Sequence, residues 1–218
     1  MSNIIKLIFS ALLIAMLLYA ASGYYSASRD VAHLKQRART LIDAGRGGDA
    51  LGTKRIQLLL LLQDPNFYNH QGVDLKTAGA GLTTITQSLS KRLAFNNFNP
   101  GIGKIRQTTY AMSLEKHLTK NEILALFLET VPMGQGPRGW TIGFFEGSVS
   151  FYGKPPGELS DSQFIELVSV IIAPGLLNHM SPNDRFTERL KRIERLQMGE
   201  CQPKNNKDVW FEACASKD

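Results

Sequence analysis

The sequence predicts a mainly α-helical protein carried on one N-terminal apolar helix, and three observations lead there. Two capping boxes, Thr119 with Glu122 and Ser160 with Gln163, each stand directly before an apolar run. Residues 184–198, DRFTERLKRIERLQM, repeat their apolar positions at helical spacing and are closed by Gly199. Alternating patterns that would mark strands are nearly absent, apart from short apolar pieces at 140–145 and 149–152.

Taken in order, residues 7–21, LIFSALLIAMLLYAA, carry no charge, and with Ile4 and Ile5 the run reaches the short end of what spans a bilayer. Lys6 and the N-terminal amine precede it, the outline of a signal anchor with its N-terminus in the cytoplasm. A cleaved signal peptide has a similar outline, with SAS at 26–28 as the cleavage candidate. We read residues 1–25 as a retained anchor, which puts the bulk of the chain outside the cytoplasm. Residues 26–52 turn basic and then glycine-rich, a juxtamembrane helix ending in a flexible turn. From Thr53 the chain is helical by period up to residue 198, and a polar tail occupies 199–218.

Inside 53–198, the stretch GAGLTTITQSLSKRLAF at 79–95 reads as a glycine turn and a helix beginning near Leu82 or Thr83. Leu82, Ile85, Leu89 and Leu93 then share one face, and Thr84, Gln87 or Ser88, and Lys91 another. Free N–H groups at that helix start, with hydroxyls beside them and a lysine two turns on, suit a phosphate, although any amphipathic helix has a polar face. In GKIRQTTYAMSLEKHL at 103–118, Gln107 falls in line with Tyr110 or Ala111, Leu114 and Leu118, and Lys104 lies one turn before it. That places Gln107 at the edge of a core or facing a cleft. The run FIELVSVIIA is closed by Pro174 and Gly175, and the loops at 131–140 and 150–159 have the composition of groove walls or of ordinary turns.

With 218 residues and 43% hydrophobic content the chain can build a core and is not disordered. A net charge of +6 favours anionic partners, among which nucleic acid, lipid headgroups and phosphorylated substrates are not separated by charge alone. The two cysteines, Cys201 and Cys214, would close a short loop in an oxidising compartment, worth about 3 kcal/mol by chain entropy. His33, His70, His117 and His179 show no metal-ligand spacing, and neither HExxH nor GxSxG occurs, so no metal site is expected and His70 reads as a structural or cleft-lining residue.

Several stretches together resemble the family-51 glycosyltransferases, the peptidoglycan transglycosylase domains of monofunctional enzymes and of class A penicillin-binding proteins. QDPNFYNHQGVD at 63–74 fills every position of that family's E-D-x-x-F-x-x-H-x-G-x-D motif except the first. GLTTITQS at 81–88 partly matches G-G-S-T-I-T-Q-Q, GKIRQ at 103–107 corresponds to R-K-x-x-E, ILALFLE at 123–129 to I-L-E-x-Y-L-N, and FYGK at 151–154 echoes a later motif. The likeness runs in unbroken order over roughly 54–198. It implies a lysozyme-like transglycosylase fold with a cleft near the membrane, where the family joins lipid II units to a growing glycan as undecaprenyl pyrophosphate leaves. It further implies Thr84, Gln87, Lys91, Lys104 and His70 as substrate-binding residues, no nucleic acid, no organic cofactor, and at most a divalent cation accompanying the pyrophosphate.

The same resemblance locates the departure. The family's general base and its second essential carboxylate fall on Gln63 and Gln107, amides that take no proton near neutral pH. Losing a general base costs on the order of 10²- to 10⁴-fold in rate, and losing the second carboxylate removes support for an oxocarbenium-like centre. Asp64 adjoins Gln63, but it is shorter and points about 100° away on a helix, so it would not easily reach the same proton. Leu82, Ser88, Gly103, Ala125 and Glu129 also depart from the motifs, the mark of natural divergence. The expectation is a membrane-anchored, extracytoplasmic protein that binds lipid II or nascent glycan with reduced or no activity and regulates active cell-wall synthases. A working transglycosylase and a purely structural partner of synthesis complexes are the alternatives.

Overall fold

The computed structural model describes residues 3–215. The apolar N-terminal run and the basic stretch after it form one helix, α1 (Asn3–Asp43), with no break between them. Ile4, Leu7, Phe9, Leu12 and Leu18 are 65–72% exposed, so none of the described residues covers this apolar surface. From Gly23 onward the helix buries Gly23, Ala27, Leu34, Ala38 and Leu41, a stripe at helical spacing. The turn expected to be flexible is instead a short 3₁₀ segment (Gly48–Leu51) with both end residues buried.

The α1 stripe lies on α4 (Ile102–His117). At Gly23 the helices touch through their backbones, because a Cβ there would stand 2.4 Å from Thr109 Oγ1 and 2.5 Å from the carbonyl oxygen of Arg106. The Thr109 hydroxyl donates to the Ala20 carbonyl at 2.7 Å, and the Tyr110 hydroxyl donates to Asp30 at 3.0 Å. Burial, reinforced by the Asp30 carboxylate, keeps the Tyr110 hydroxyl protonated far above its ordinary range.

The centre of the domain is α5 (Lys120–Thr130), whose residues 123–128 are all nearly inaccessible. A helix apolar all round must be surrounded, and α1, α3 (Ile85–Ala94) and α6 (Phe144–Tyr152) pack against it. The remaining elements are α2 (Thr53–Gln63), a hairpin of β1 (Pro132–Gly136) and β2 (Gly139–Ile142), α7 (Asp161–Ser169) and α8 (Asp184–Gln197). The expected fold class, mainly helical behind one long apolar N-terminal helix, is what the chain adopts.

Both expected capping boxes are present, Thr119 with Glu122 and Ser160 with Gln163. Three local expectations need correction. First, α3 begins at Ile85, because Thr84 is its N-cap in a third capping box with Gln87, leaving Leu82 half-exposed outside the helix. Second, residues 149–152 are helical, the end of α6, and of the 140–145 piece only 140–142 extend. Third, α7 stops at Ser169 and passes through a 3₁₀ turn (Val170–Ile172) before reaching Pro174.

The tail is ordered against the domain. Cys201 and Cys214 are joined by a disulfide, as the sequence suggested. On α8, Arg189, Arg192 and Arg195 stand three residues apart, and each gives an Nη1 donor to a tail carbonyl. The acceptors are Val209 at 3.0 Å, Trp210 at 3.3 Å and Cys214 at 3.0 Å. Arg189 is almost wholly buried, with its guanidinium over the rings of Trp210 and Phe211. Burial, with Arg192 nearby, lowers its pKa to about 10, which still leaves it charged at neutral pH.

Candidate functional site

The leucine run of α2 delivers the chain into a buried polar corner. Asp64 leaves helical geometry (φ −164°, ψ 78°) and turns its side chain fully inside. Its Oδ2 accepts from His70 Nε2 at 2.9 Å and from the backbone N–H of Ile85, the first residue of α3, at 2.9 Å. The Gly72 N–H donates to His70 Nδ1 at 3.0 Å, so the hydrogen-bond pattern puts the neutral ring's proton on Nε2, facing Asp64. A carboxylate at a helix N-terminus is favoured by the free N–H groups there, which offsets its loss of water. Asp64 therefore fastens α2 to α3 and the 70–72 turn.

The other candidates extend this scaffold. Thr84 Oγ1 accepts from Gln87 N–H at 3.1 Å and donates to the Gly72 carbonyl at 2.9 Å. Gln87 Oε1 accepts from Thr84 N–H at 3.2 Å, and its Nε2 donates to Thr108 Oγ1 at 3.0 Å. Gln107 is 1% exposed rather than facing a cleft: Nε2 donates to the Gln87 carbonyl at 2.7 Å, while Oε1 is buried without a partner. His70, Thr84, Gln87 and Gln107 are thus all buried and committed to bonds within the protein.

Asp74 closes the corner. Its Oδ1 accepts from the N–H groups of Lys76 at 2.9 Å and Thr77 at 3.0 Å, and its Oδ2 from Asn66 at 3.0 Å. Burial alone would raise its pKa, but these bonds and one from the Thr77 side chain prevail and hold it well below the usual carboxylate range.

Beside the corner opens a groove of about 300 Å³. Its polar lining comes from Gln63, Thr83, Thr84 and Ser88, and its apolar walls from Leu62, Phe127, Ile171, Ile172 and Val209. Among the described residues that line it there is no aspartate, glutamate or histidine. Gln63 is half-buried at the groove, and its Nε2 donates to the Val168 carbonyl at 3.3 Å. The divalent cation allowed by resemblance would meet only hydroxyl and amide donors here, a poor set for a hard dication, and the function proposed below uses none.

Cations stand behind the hydroxyls. Lys104 Nζ donates to Thr83 Oγ1 at 2.7 Å and lies 3.4 Å from the Leu82 carbonyl. Burial, with Lys91 nearby, lowers the Lys104 pKa. From another side Arg92 Nη1 donates to Ser88 Oγ at 2.8 Å and Nε to Thr130 Oγ1 at 3.0 Å, and the guanidinium lies over Phe127. Arg92 Nη2 is buried without a partner, and burial lowers this pKa to about 10. Lys91 is exposed, its Nζ 5.1 Å from the Phe98 ring centre. Two hydroxyls in a groove with no carboxylate among its described lining residues are thereby polarised by cations, an arrangement that receives an anion.

Sequence reasoning placed Gln63, Thr84, Lys91 and Lys104 in this neighbourhood but missed Arg92, which resembles an ordinary basic residue in a helix's last turn. It also missed the walls at Ile171, Ile172 and Val209, which reach the groove only through tertiary packing. The loops at 131–140 and 150–159 do not line it; the first folds as the β1–β2 hairpin.

The sequence model of the family described as Transglycosylase matches residues 47–197. Penicillin-binding protein 1B of Buchnera aphidicola is 33% identical over 129 residues, covering 53% of this chain and 17% of that protein. Penicillin-binding protein 1A of Pseudomonas aeruginosa is 31% identical over 147 residues, 62% of this chain and 17% of the relative. Penicillin-binding protein 1B of Escherichia coli is 26% identical over 183 residues, 75% of this chain and 22% of the relative. The matched stretch is thus about a fifth of each relative's length. With the family's match spanning most of the chain, from the 3₁₀ turn after α1 to the end of α8, this protein belongs to the transglycosylase family.

Proposed function

We propose that this protein is a membrane-anchored, extracytoplasmic transglycosylase homologue that binds lipid II or nascent glycan and has little or no polymerising activity. One observation carries the reading: the groove has cations behind its hydroxyls, Lys104 and Arg92, and no carboxylate or histidine among its described lining residues. Anion binding needs the first feature, whereas moving a proton off an attacking hydroxyl needs a base that the second denies. Asp64 does not fill the vacancy, because it is fully buried and one of its oxygens is shared between His70 and Ile85. Thr83, Ser88, Lys104 and Arg92 would hold the pyrophosphate, with Lys91 adding charge at the rim.

The long apolar surface of α1 supports anchoring, and a lipid-linked ligand suits a protein held at a membrane. Regulation of active synthases by ligand capture follows from binding without turnover. The test is to measure, on the full chain in lipid nanodiscs, both binding of lipid II and formation of glycan. Binding that weakens at least tenfold in Lys104→Ala, with no polymer formed, is expected. Polymer formed at the rate of an ordinary family member would overturn the reading.

A further inference from the structure

The tail lies beyond the part of the chain that matches the family, which ends at residue 197. It nevertheless reaches the groove. Val209 is one of the groove's apolar walls, packed against the loop that carries Gly81, Leu82 and Thr83. That loop and the tail are joined by backbone. The Gly79 N–H donates to the Asn205 carbonyl at 3.0 Å, the Gly81 N–H to the Asn206 carbonyl at 2.6 Å, and Asn206 Nδ2 to the Leu75 carbonyl at 2.8 Å.

The approach is close enough to need glycine. Gly79 and Gly81 have φ of +76° and +74°, and a Cβ on them would stand 2.9 Å from Pro203 Cγ and 2.8 Å from Val209 Cγ1. The tail is itself held in a conformation it would not choose alone. Phe211, fully buried, has φ 55°, a left-handed geometry that disfavours a bulky side chain, and it persists under the arginine ladder of α8. The disulfide closes both ends of this segment. Such a segment is built to a shape, and the groove is where the shape has an effect.

We infer that the disulfide-closed tail is a wall of the groove, holding the 79–83 loop in place and limiting what the groove admits. The Cys201–Cys214 bond, by closing the tail, keeps that wall in position. The inference rests on the proposed ligand only for its binding arm; the structural arm is independent of it.

The test uses the full chain in nanodiscs. Hydrogen exchange is read at the Gly79 and Gly81 amides in the native protein and in the double variant Cys201→Ser with Cys214→Ser. Opening the tail removes the acceptors of both amides, so exchange should quicken about tenfold or more. Exchange unchanged at both glycines overturns the inference, whatever the ligand proves to be. The second arm is Val209→Trp, which keeps the tail's backbone bonds and puts bulk into the groove. Binding of a short-chain lipid-linked disaccharide pyrophosphate should weaken about tenfold while exchange at Gly79, which meets Pro203 and Phe211 rather than Val209, stays native. Equal binding by the native chain and Val209→Trp refutes Val209 as a wall. No binding by the native chain sinks the ligand reading instead, and the exchange arm then decides the tail's role alone.

Discussion

Gln63 and Gln107 stand at the two positions where the family resemblance puts carboxylates, yet the structure predicts unequal costs when each is replaced by glutamate. Gln107 is 1% exposed and presents its Nε2 to the Gln87 carbonyl at 2.7 Å. A carboxylate there loses that bond and points an anion at a carbonyl oxygen, with no donor in place for its other oxygen. Loss of the bond and burial of the charge together cost about 3 kcal/mol, which at 2–4 °C per kcal/mol is a fall in Tm of roughly 10 °C.

The sign with pH follows. A glutamate at 107 would have its folded pKa raised above the ordinary value near 4.3, because only its protonated form can donate to the Gln87 carbonyl. Near pH 4 both folded and unfolded states are largely protonated and the penalty nearly vanishes. It grows as pH rises past the unfolded value and levels off above the folded one. Gln63 is half-buried at the groove with one 3.3 Å bond, so Gln63→Glu should cost no more than about 1 kcal/mol. Urea unfolding of both variants at pH 4.5 and 7.5 measures the contrast. A Gln107→Glu protein as stable as the native chain at pH 7.5 would refute the buried placement of Gln107 and the reasoning built on it.

Other expectations follow from the same geometry. Asp64→Ala strips the acceptor from His70 and Ile85 and should lower stability by about 3 kcal/mol in chemical denaturation, while glycan formation, measured beside the native chain, should not change. Because hydrogen bonds hold the Asp74 pKa below its unfolded value near 4, its stabilising contribution is present above that value and fades as pH falls through the folded one. Asp74→Asn should remove that part of the acid sensitivity in unfolding curves between pH 2 and 6. Gly23→Leu drives a side chain into Arg106 and Thr109, so proteolysis at residues 20–43 should accelerate and Tm should fall by several degrees, for a cost of about 2–3 kcal/mol.

What could be read in advance was what is local. Thr119, Ser160 and their partners announce helix starts within four residues, because capping is a contact between near neighbours. The start of α3 is not legible in the pattern, because Leu82 fits the apolar face by count, whereas Thr84 caps the helix and excludes it. The β1–β2 hairpin escaped notice because its paired positions include Gly134, Gly136 and Gly139, which give no alternation of apolar and polar side chains. Gln107 looked like a boundary residue since a lone amide in an apolar stripe does not reveal how deeply α3 covers it. The groove was legible only at Gln63 and along α3, for Ile171 and Val209 belong to segments far along the chain, beyond α7 and beyond α8. Arg189, Arg192 and Arg195 were visible as the polar side of an amphipathic helix, and nothing in that pattern says they face a returning tail.

The unbroken run of α1 fixes its apolar outer half rigidly to the domain. At 1.5 Å per residue its 41 residues make a rod of about 60 Å, of which the outer half is bare and the inner half is clamped to α4. A rod so clamped has no swivel, so the lipid-facing side of the outer half and the heading of the groove are fixed to each other like a rudder to its stock. Each residue inserted before Ala20 would raise the groove by about 1.5 Å and swing it by about 100° relative to the lipid-embedded end. The length of an apparently featureless apolar stretch is therefore a setting for the direction in which the groove faces.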